Sequence, residues 1–283
     1  MEVKIFDNLS ALNVGFTEYL KDILKDRERV TVALSGGSTP KSLFDYWAQH
    51  HQHDIDWKSI FFFWGDERCV PPTDEQSNYK MTQEHLLAHV PIPERNIFRI
   101  KGENDPAAEA KRYSTLLQME IEMVNGAPSF DLVILGLGDD GHTASIFPHE
   151  IKLWKSNKLC VVATHPESGQ KRVSLSGKVI NNAQRISFLV IGAGKAEKVK
   201  EIIERRKDVK DIYPAAKVKP VSGNLVWFLD REAAIELENP AITGIVPEGY
   251  VTADEFKESV IRKIKESYKA HDKTSEQPEN PKS

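Results

Sequence analysis

The sequence predicts an α/β protein with a mainly parallel sheet that is flanked by helices on both faces. Short apolar runs alternate with longer segments of helical spacing, which is typical of consecutive βαβ units. The runs Val30–Leu34, Phe61–Trp64 and Leu132–Leu135 are almost free of polar residues, as expected of strands that are buried on both faces. A turn with glycine and polar side chains follows each run, at the strand ends where open α/β sheets bind ligands.

The remaining elements continue this alternation along the chain. Apolar residues at helical spacing predict five helices, at Leu9–Leu24, from Lys41 onward, and at Asn78–Ala88, Pro106–Val124 and Lys195–Arg205. Additional strands are predicted at Glu2–Phe6, Ile97–Ile100, Leu159–Ala163, Arg172–Leu175, Ile186–Ile191 and Leu225–Leu229. We therefore expect residues 1–238 to form one Rossmann-like domain.

The chain changes character after Glu238. Thr252–Ala270 has the apolar spacing of an amphipathic helix. Asp272–Ser283 is rich in lysine, glutamate, proline and serine, a composition typical of disordered segments. Residues 239–283 are therefore predicted to be an extension with one helix and a disordered end.

Composition narrows the possible functions. The 283 residues are 40% apolar, and a net charge of −4 gives no reason to expect a nucleic-acid or membrane partner. Cys69 and Cys160 are the two cysteines, and their separation fits a reducing compartment better than a disulfide framework. No signal-peptide pattern and no apolar run near the ~18 residues of a membrane span are found. We expect a cytoplasmic protein, and its oligomeric state stays open.

Ser35–Pro40 is a glycine-rich turn between a predicted strand and a predicted helix. Gly36 and Gly37 allow backbone N–H groups to point at an anion, and a helix N-terminus adds about half a positive charge. Ser38 and Thr39 supply hydroxyl donors. The turn lacks the G-K-[ST] ending of a Walker loop. It therefore predicts a phosphate site of another kind, with an ordinary helix start as the alternative.

Asp66, Glu67 and Arg68 follow the predicted strand Phe61–Trp64. Three consecutive charges at a strand end are more than a turn requires. Arg68 can clamp an anion through its planar fork of donors, and Asp66 or Glu67 can position a hydroxyl group or a water. A surface ion pair is the alternative interpretation.

His142 is the strongest candidate for a general base, because an unperturbed histidine can accept a proton near neutral pH. Asp140 or Asp139 can orient the ring and stabilise its charged form. Gly136–Gly141 also matches the dinucleotide pattern G-x-G-x-x-G. Two carboxylates would then face a pyrophosphate, and no acidic residue follows about 20 positions later to bind a ribose. Nucleotide binding is therefore disfavoured.

Two further basic residues lie at the ends of predicted elements. Arg172 opens a short strand, and Lys195 begins a helix after a glycine-rich turn. Both suit an anion held between strand ends, although a solvated charged surface explains each one alone. The histidines of segment 50–53 lack zinc-type spacing, so no metal site is predicted.

Taken together, these segments resemble the 6-phosphogluconolactonases. The similarity lies in Ser35–Pro40, Trp64–Arg68 and Gly136–Pro148, in this order and spacing, and is extended by Arg172–Ser176 and Gly192–Lys195. Its specific part is the run Asp-Gly-His-Thr-Ala-Ser at positions 140–145. The resemblance covers roughly positions 3–234, so it assigns no role to the C-terminal extension.

The resemblance implies hydrolysis of 6-phosphogluconolactone to 6-phosphogluconate, in the α/β fold shared with the glucosamine-6-phosphate deaminases. It implies neither a metal nor an organic cofactor. His142 would be the base that activates water and Asp140 its orienting partner. Arg68, with Asp66 nearby, would contact the phosphate or the lactone oxygens. The phosphate contacts would come from Gly36, Gly37, Ser38, Thr39, Arg172 and Lys195.

Two alternatives to the lactonase remain at this stage. The deaminase branch carries a glutamate five positions after the histidine, where this chain has Phe147, and this difference counts against deamination. A non-catalytic phosphosugar-binding module would keep the phosphate site but would not need an intact Asp140–His142 pair. The donor to the developing oxyanion is also open, with the Gly141 N–H group and Arg68 as the candidates.

Overall fold

The computed structural model describes residues 1–239. The predicted helix at Thr252–Ala270 and the predicted disordered end therefore lie outside the described residues. The strands are β1 Glu2–Phe6, β2 Val30–Leu34, β3 Ile60–Trp64, β4 Asp66–Arg68, β5 Ile97–Phe98, β6 Met123–Val124, β7 Ala127–Pro128, β8 Leu132–Leu135, β9 Cys160–Thr164, β10 Lys171–Leu175, β11 Ile186–Val190 and β12 Leu225–Asp230. The α-helices are α1 Leu9–Leu24, α2 Ser38–His50, α3 Asn78–Thr82, α4 Pro106–Glu120, α5 Gly177–Ile180, α6 Ala196–Glu204 and α7 Arg206–Val209.

Seven strands form the parallel central sheet that the sequence predicts, in the order β1-β12-β11-β8-β2-β3-β5. From the central pair β2 and β8, the sheet continues through β3 and β5 on the β2 side. On the β8 side it continues through β11, β12 and β1. Every residue of β2, β8, β11 and β12 is buried, which explains their continuous apolar sequences. The order reverses between β2 and β8, and open α/β sheets bind ligands at such a switch point.

A second, antiparallel sheet has the order β4-β10-β9, which the sequence did not predict. The segment Asp66–Arg68, expected to be a turn, is its short strand β4. Gly65 transfers the chain from one sheet to the other, since its N–H donates to Leu34 O and its carbonyl accepts from Leu175 N, both at 2.8 Å. Arg172 is thereby placed opposite Arg68, and Ser174 opposite Asp66.

Several element boundaries differ from the prediction. Helix α2 starts at Ser38 rather than Lys41, and the segment predicted as Asn78–Ala88 is α3 followed by a π-helical turn at Gln83–Leu87. Helix α4 ends at Glu120, because the chain turns back in the hairpin β6–β7. Asn125 and Gly126 connect these strands with positive φ angles of 51° and 72°, as a tight hairpin turn requires. No helix among residues 1–239 is long and apolar enough to cross a membrane.

Candidate active site

A cavity of about 180 Å³ lies at the switch point. It collects six of the predicted site residues on its wall, namely Gly36, Gly37, Asp66, Arg68, His142 and Arg172. The wall is completed by Ser35, Asn78, Gly136, Leu137, Gly138 and Ala144. Ser38, Thr39, Asp140 and Lys195 lie outside this wall.

A larger cavity of about 710 Å³ lies elsewhere, between α4, β9 and the segment 153–159. Its wall is mainly apolar and holds none of the predicted site residues. The smaller cavity is therefore the candidate active site, because perturbed and titratable groups converge there. Among residues 1–239, no group of three or more His, Cys, Asp or Glu side chains is arranged to hold a metal ion.

His142 and Asp140 form a hydrogen-bonded pair at the cavity. The distance between His142 Nδ1 and Asp140 Oδ1 is 2.6 Å, and the same oxygen accepts the backbone N–H of His142 at 3.0 Å. Burial acts to raise the pKa of Asp140, but the hydrogen bonds from His142 outweigh it and leave this pKa below its usual value. An ionised Asp140 assigns the proton to Nδ1, so the lone pair of Nε2 is available as a base.

Two glycines allow the tight turn that contains His142. A Cβ atom on Gly138 would lie 2.1 Å from His142 Nδ1, so only glycine fits against the ring. Gly141 has a φ of 83°, and a Cβ atom there would lie 2.6 Å from the Tyr213 ring. The Gly141 N–H donates to Gly138 O at 3.0 Å. This N–H group is therefore already engaged within the turn, and Nη1 of Arg68 likewise donates to Gln76 O at 2.5 Å.

Asp139 does not orient His142 but forms an ion pair with Lys195. The Lys195 ammonium therefore joins the turn after β11 to the turn after β8. The side chain of Asp139 is 87% exposed, so solvent surrounds this pair on the outside of the turn. Of the two aspartates that the sequence left open, Asp140 is the one bonded to the imidazole.

The N-terminus of α2 has no side-chain cap within the described chain. Gly37 is the N-cap residue with a φ of 105°, and it carries no side chain to accept a first-turn N–H. In contrast, Asn8 accepts a hydrogen bond from the first turn of α1, and Asp105 does so for α4. The first N–H groups of α2 therefore remain available to an anion at the end of Ser35–Pro40.

Arg68 and Arg172 are neighbours in the antiparallel register and both line the cavity. Neither forms an ion pair with any residue of 1–239, and the Nε atom of each is buried without a hydrogen-bond partner there. Burial lowers the pKa of Arg172, with Asp66 acting in the opposite direction. Two adjacent guanidinium groups that lack a carboxylate partner in the described chain have the chemistry to bind an anion.

Asp66 and Glu67, which the sequence analysis offered as alternatives, have different surroundings in the structure. Asp66 lines the cavity and accepts a hydrogen bond from Ser145 Oγ at 2.5 Å. Glu67 points away into the protein and accepts four hydrogen bonds, from Ser77 Oγ and the backbone N–H groups of Arg68, Asn78 and Tyr79. Burial raises the pKa of Glu67 despite these bonds. Glu67 therefore holds the start of α3 rather than a ligand.

Asn78 lines the cavity although no sequence feature pointed to it. Its Nδ2 donates to the Asp66 carbonyl oxygen at 2.9 Å, and a Cβ atom on Gly36 would lie 1.9 Å from its Oδ1. The sequence signal nearby is Ser77, a typical N-cap residue. That signal predicts a helix start and not a site, because the approach of Gly36 depends on the tertiary fold.

Comparisons with known proteins give the family of this chain. The family model for glucosamine-6-phosphate isomerases/6-phosphogluconolactonase matches residues 7–227. This chain belongs to that family. The 6-phosphogluconolactonase of Treponema pallidum is 47% identical over 197 residues, which cover 70% of this chain and 82% of that protein.

Solved structures of similar proteins extend the comparison. The crystal structure of devB protein gives a TM-score of 0.80 at 44% identity, covering 84% of this chain and 99% of its own. That of the 6-phosphogluconolactonase from Trypanosoma brucei gives 0.76 at 28% identity, covering 84% and 98%. The isomerase/lactonase family description names two activities, so membership alone does not choose between them.

Proposed function

We propose that this chain hydrolyses 6-phospho-D-glucono-1,5-lactone to 6-phospho-D-gluconate, in the oxidative pentose phosphate pathway. The observation that carries the proposal is the His142–Asp140 pair, whose histidine lines the same cavity as Arg68 and Arg172. The names of the relatives support this choice, since the Treponema pallidum protein is a 6-phosphogluconolactonase. We also propose that the enzyme works in the cytoplasm on a small molecule, without a nucleic-acid or membrane partner.

The proposed reaction begins with a water molecule at Nε2 of His142. The imidazole takes a proton from the water as its oxygen attacks the lactone carbonyl carbon, and Asp140 stabilises the imidazolium that forms. Negative charge then develops on the carbonyl oxygen, where the Arg68 guanidinium can meet it. The tetrahedral intermediate collapses, the bond to the ring oxygen breaks, and the imidazolium returns the proton to that oxygen.

A lactone is an activated ester, so a polarised water suffices and a covalent nucleophile is not required. The reaction proposed for these residues uses neither a metal nor an organic cofactor. This assignment explains why the loop supplies a hydrogen-bonded histidine rather than an activated serine or cysteine. Burial raises the pKa of Cys69 to about 11, which makes its thiolate a rare species at neutral pH.

The phosphate group is proposed to bind at the α2 N-terminus, with Gly36, Gly37, Ser38 and Thr39 as donors. Arg172 would complete the clamp from β10. Lys195 forms an ion pair with Asp139. It would contact the phosphate either by breaking this ion pair or by moving toward the ligand together with Asp139. Binding energy from the phosphate would thus hold the distant carbonyl against His142.

The two alternatives explain the geometry less well. A deaminase-type proton abstraction from carbon would use a carboxylate where this chain has the fully buried Phe147. A non-catalytic module does not need a histidine whose Nδ1 is fixed and whose Nε2 is free.

The test is an assay of lactone consumption beside an assay of ammonia release from glucosamine 6-phosphate. We expect lactone hydrolysis well above the spontaneous rate and no ammonia. The His142→Ala variant should lose about 10²–10⁴-fold in kcat, the usual contribution of general-base catalysis, while 6-phosphogluconate binding stays within threefold. Ammonia release, or an unchanged rate in His142→Ala, would refute the proposal.

A further inference from the structure

Phe147 lies directly behind the candidate active site without forming part of the cavity wall. Its side chain is fully buried, at 0% exposure. The Phe147 ring centroid is 4.8 Å from that of His142 and 5.7 Å from the Arg172 guanidinium carbon. Among residues 1–239, no other aromatic ring contacts both groups. The proposed base and the proposed phosphate clamp therefore share one packing surface.

His142 needs lateral support in addition to its hydrogen bond. The single side-chain bond to Asp140 fixes Nδ1, but rotation about this bond would still swing Nε2 away from the cavity. The Phe147 ring meets the imidazole at an angle of 56°, which blocks such a swing on the side that it occupies. When the imidazole becomes protonated during the reaction, a nearby aromatic ring also attracts the positive charge.

Arg172 gains a different benefit from the same ring. Its Nε atom is buried without a hydrogen-bond partner in the described chain, and no carboxylate of residues 1–239 forms an ion pair with it. A guanidinium next to an aromatic ring is stabilised without using its N–H donors. A carboxylate at position 147 would instead compete with the anionic ligand for those donors.

We propose that Phe147 is a positioning residue, whose ring holds the His142 imidazole and the Arg172 guanidinium in the arrangement that lactone hydrolysis requires. The proposal rests on the function proposed above and deepens it. Phe147 acts through its two neighbours and does not touch the substrate, since its side chain is fully buried.

The first test compares Phe147→Leu with Phe130→Leu. Phe130 is also fully buried, packs against Phe63 at 5.4 Å and lies away from the cavity wall. We expect Phe147→Leu to lower kcat about tenfold and to raise KM several-fold in folded protein, because small misplacements of reacting groups cost up to ~10²-fold. Phe130→Leu should lower the melting temperature and leave kcat per folded molecule unchanged.

The second test measures coupling to Arg172 through the affinity for 6-phosphogluconate. Phe147→Leu should weaken binding several-fold in the wild-type background and by less than twofold in an Arg172→Met background, since residues that act together are not additive. Equal losses in both backgrounds would show a general structural effect and overturn the proposal.

If Phe147→Leu fails to fold, 3,5-difluorophenylalanine placed at position 147 keeps the ring shape and weakens its negative face. We then expect a two- to threefold rise in KM, a shift of the size that weak cation–π contacts produce. A folded variant within experimental error of wild type in kcat and KM overturns this proposal alone. A wild-type chain without lactonase activity overturns both proposals.

Discussion

Two pairs of arginines on adjoining segments have opposite surroundings. Arg99 and Arg112 each make two hydrogen bonds to a carboxylate, of Glu103 and Glu109 respectively, at distances of 2.6 to 2.9 Å. Arg68 and Arg172 make none to any carboxylate of residues 1–239. The two regions touch at Gly102, where a Cβ atom would lie 2.2 Å from Arg68 O.

The pKa values of Arg112 and Arg172 differ in direction. Hydrogen bonds that Arg112 donates to Glu109 raise the pKa of Arg112, whereas burial lowers the pKa of Arg172. The paired arginines have their counter-charge inside the chain and contribute to stability. Arg68 and Arg172 have no ion-pair partner among residues 1–239, and Asp66 offsets only part of the effect of burial on Arg172. This leaves a partly buried positive charge that an anionic ligand can neutralise.

The largest effect that tests this comparison comes from matched substitutions to methionine. Arg172→Met should weaken 6-phosphogluconate binding about 10- to 100-fold, the range for losing charge-assisted hydrogen bonds. Its free energy of unfolding should change by less than about 1 kcal/mol, because an unpaired charge is replaced by an apolar chain. Ligand titration and denaturant unfolding measure the two quantities.

The matched control is Arg112→Met, which leaves the buried Glu109 with only its bonds to Lys101 N and Asn104 Nδ2. We expect a loss of about 2 kcal/mol in unfolding free energy and unchanged kcat per folded molecule. The comparison fails if Arg172→Met destabilises as much as Arg112→Met, or if both weaken the ligand equally.

A smaller effect on ligand affinity is expected at the Lys195–Asp139 pair. Lys195 has a carboxylate partner, like Arg99 and Arg112, but is also a proposed phosphate contact, like Arg172. If Lys195 moves to the phosphate, Lys195→Ala should weaken 6-phosphogluconate binding about fivefold, as one solvent-screened charge contact does. Asp139→Asn should then leave affinity unchanged or tighten it, because the ammonium is released. Affinity titrations of both variants decide the matter. Equal losses in the two variants would instead mean that the pair acts as a structural tie.

The smallest effect concerns Glu103 in the paired region. Its hydrogen bonds from Arg99 lower its pKa in spite of partial burial, so the bond adds stability above the unfolded pKa and loses it as the pH falls through the folded pKa. Glu103→Gln should therefore cost at most about 1 kcal/mol at pH 7, and the difference should shrink as the pH falls through the folded pKa of Glu103. Urea unfolding across this pH range measures it, and a difference that persists in acid contradicts the ion-pair explanation.

Much of the fold follows from local patterns. Helix Leu9–Leu24 and strand Val30–Leu34 have the predicted bounds, because burial of one helical face or of both strand faces leaves a clear apolar period. The antiparallel sheet was not predicted, because the three charged residues at Asp66–Arg68 show neither the apolar run nor the apolar alternation of a strand. They pair with β10 in the tertiary structure, where the preceding Gly65 also accepts a hydrogen bond from Leu175 of β10.

The candidate site divides in the same way. The glycine-rich turns and the Asp140–His142 spacing were visible because each lies within one short segment. Asn78, the choice of Asp140 over Asp139 and the pairing of Lys195 with Asp139 depend on which segments meet in space. Local sequence carries no information on those distances until the sheet order is known.

The sequence by itself determined the α/β architecture, the glycine turn at the start of α2 and the histidine turn after β8. The spacing of apolar residues and the conformational freedom of glycine each depend on a few neighbouring residues, so both can be identified in the sequence. Only the tertiary structure decided that Arg68 lies opposite Arg172 and that the buried ring of Phe147 contacts both His142 and Arg172. The pairing of Arg172 with Arg68 and its contact with Phe147 join segments far apart in the chain. They form through sheet pairing and core packing that no local pattern specifies.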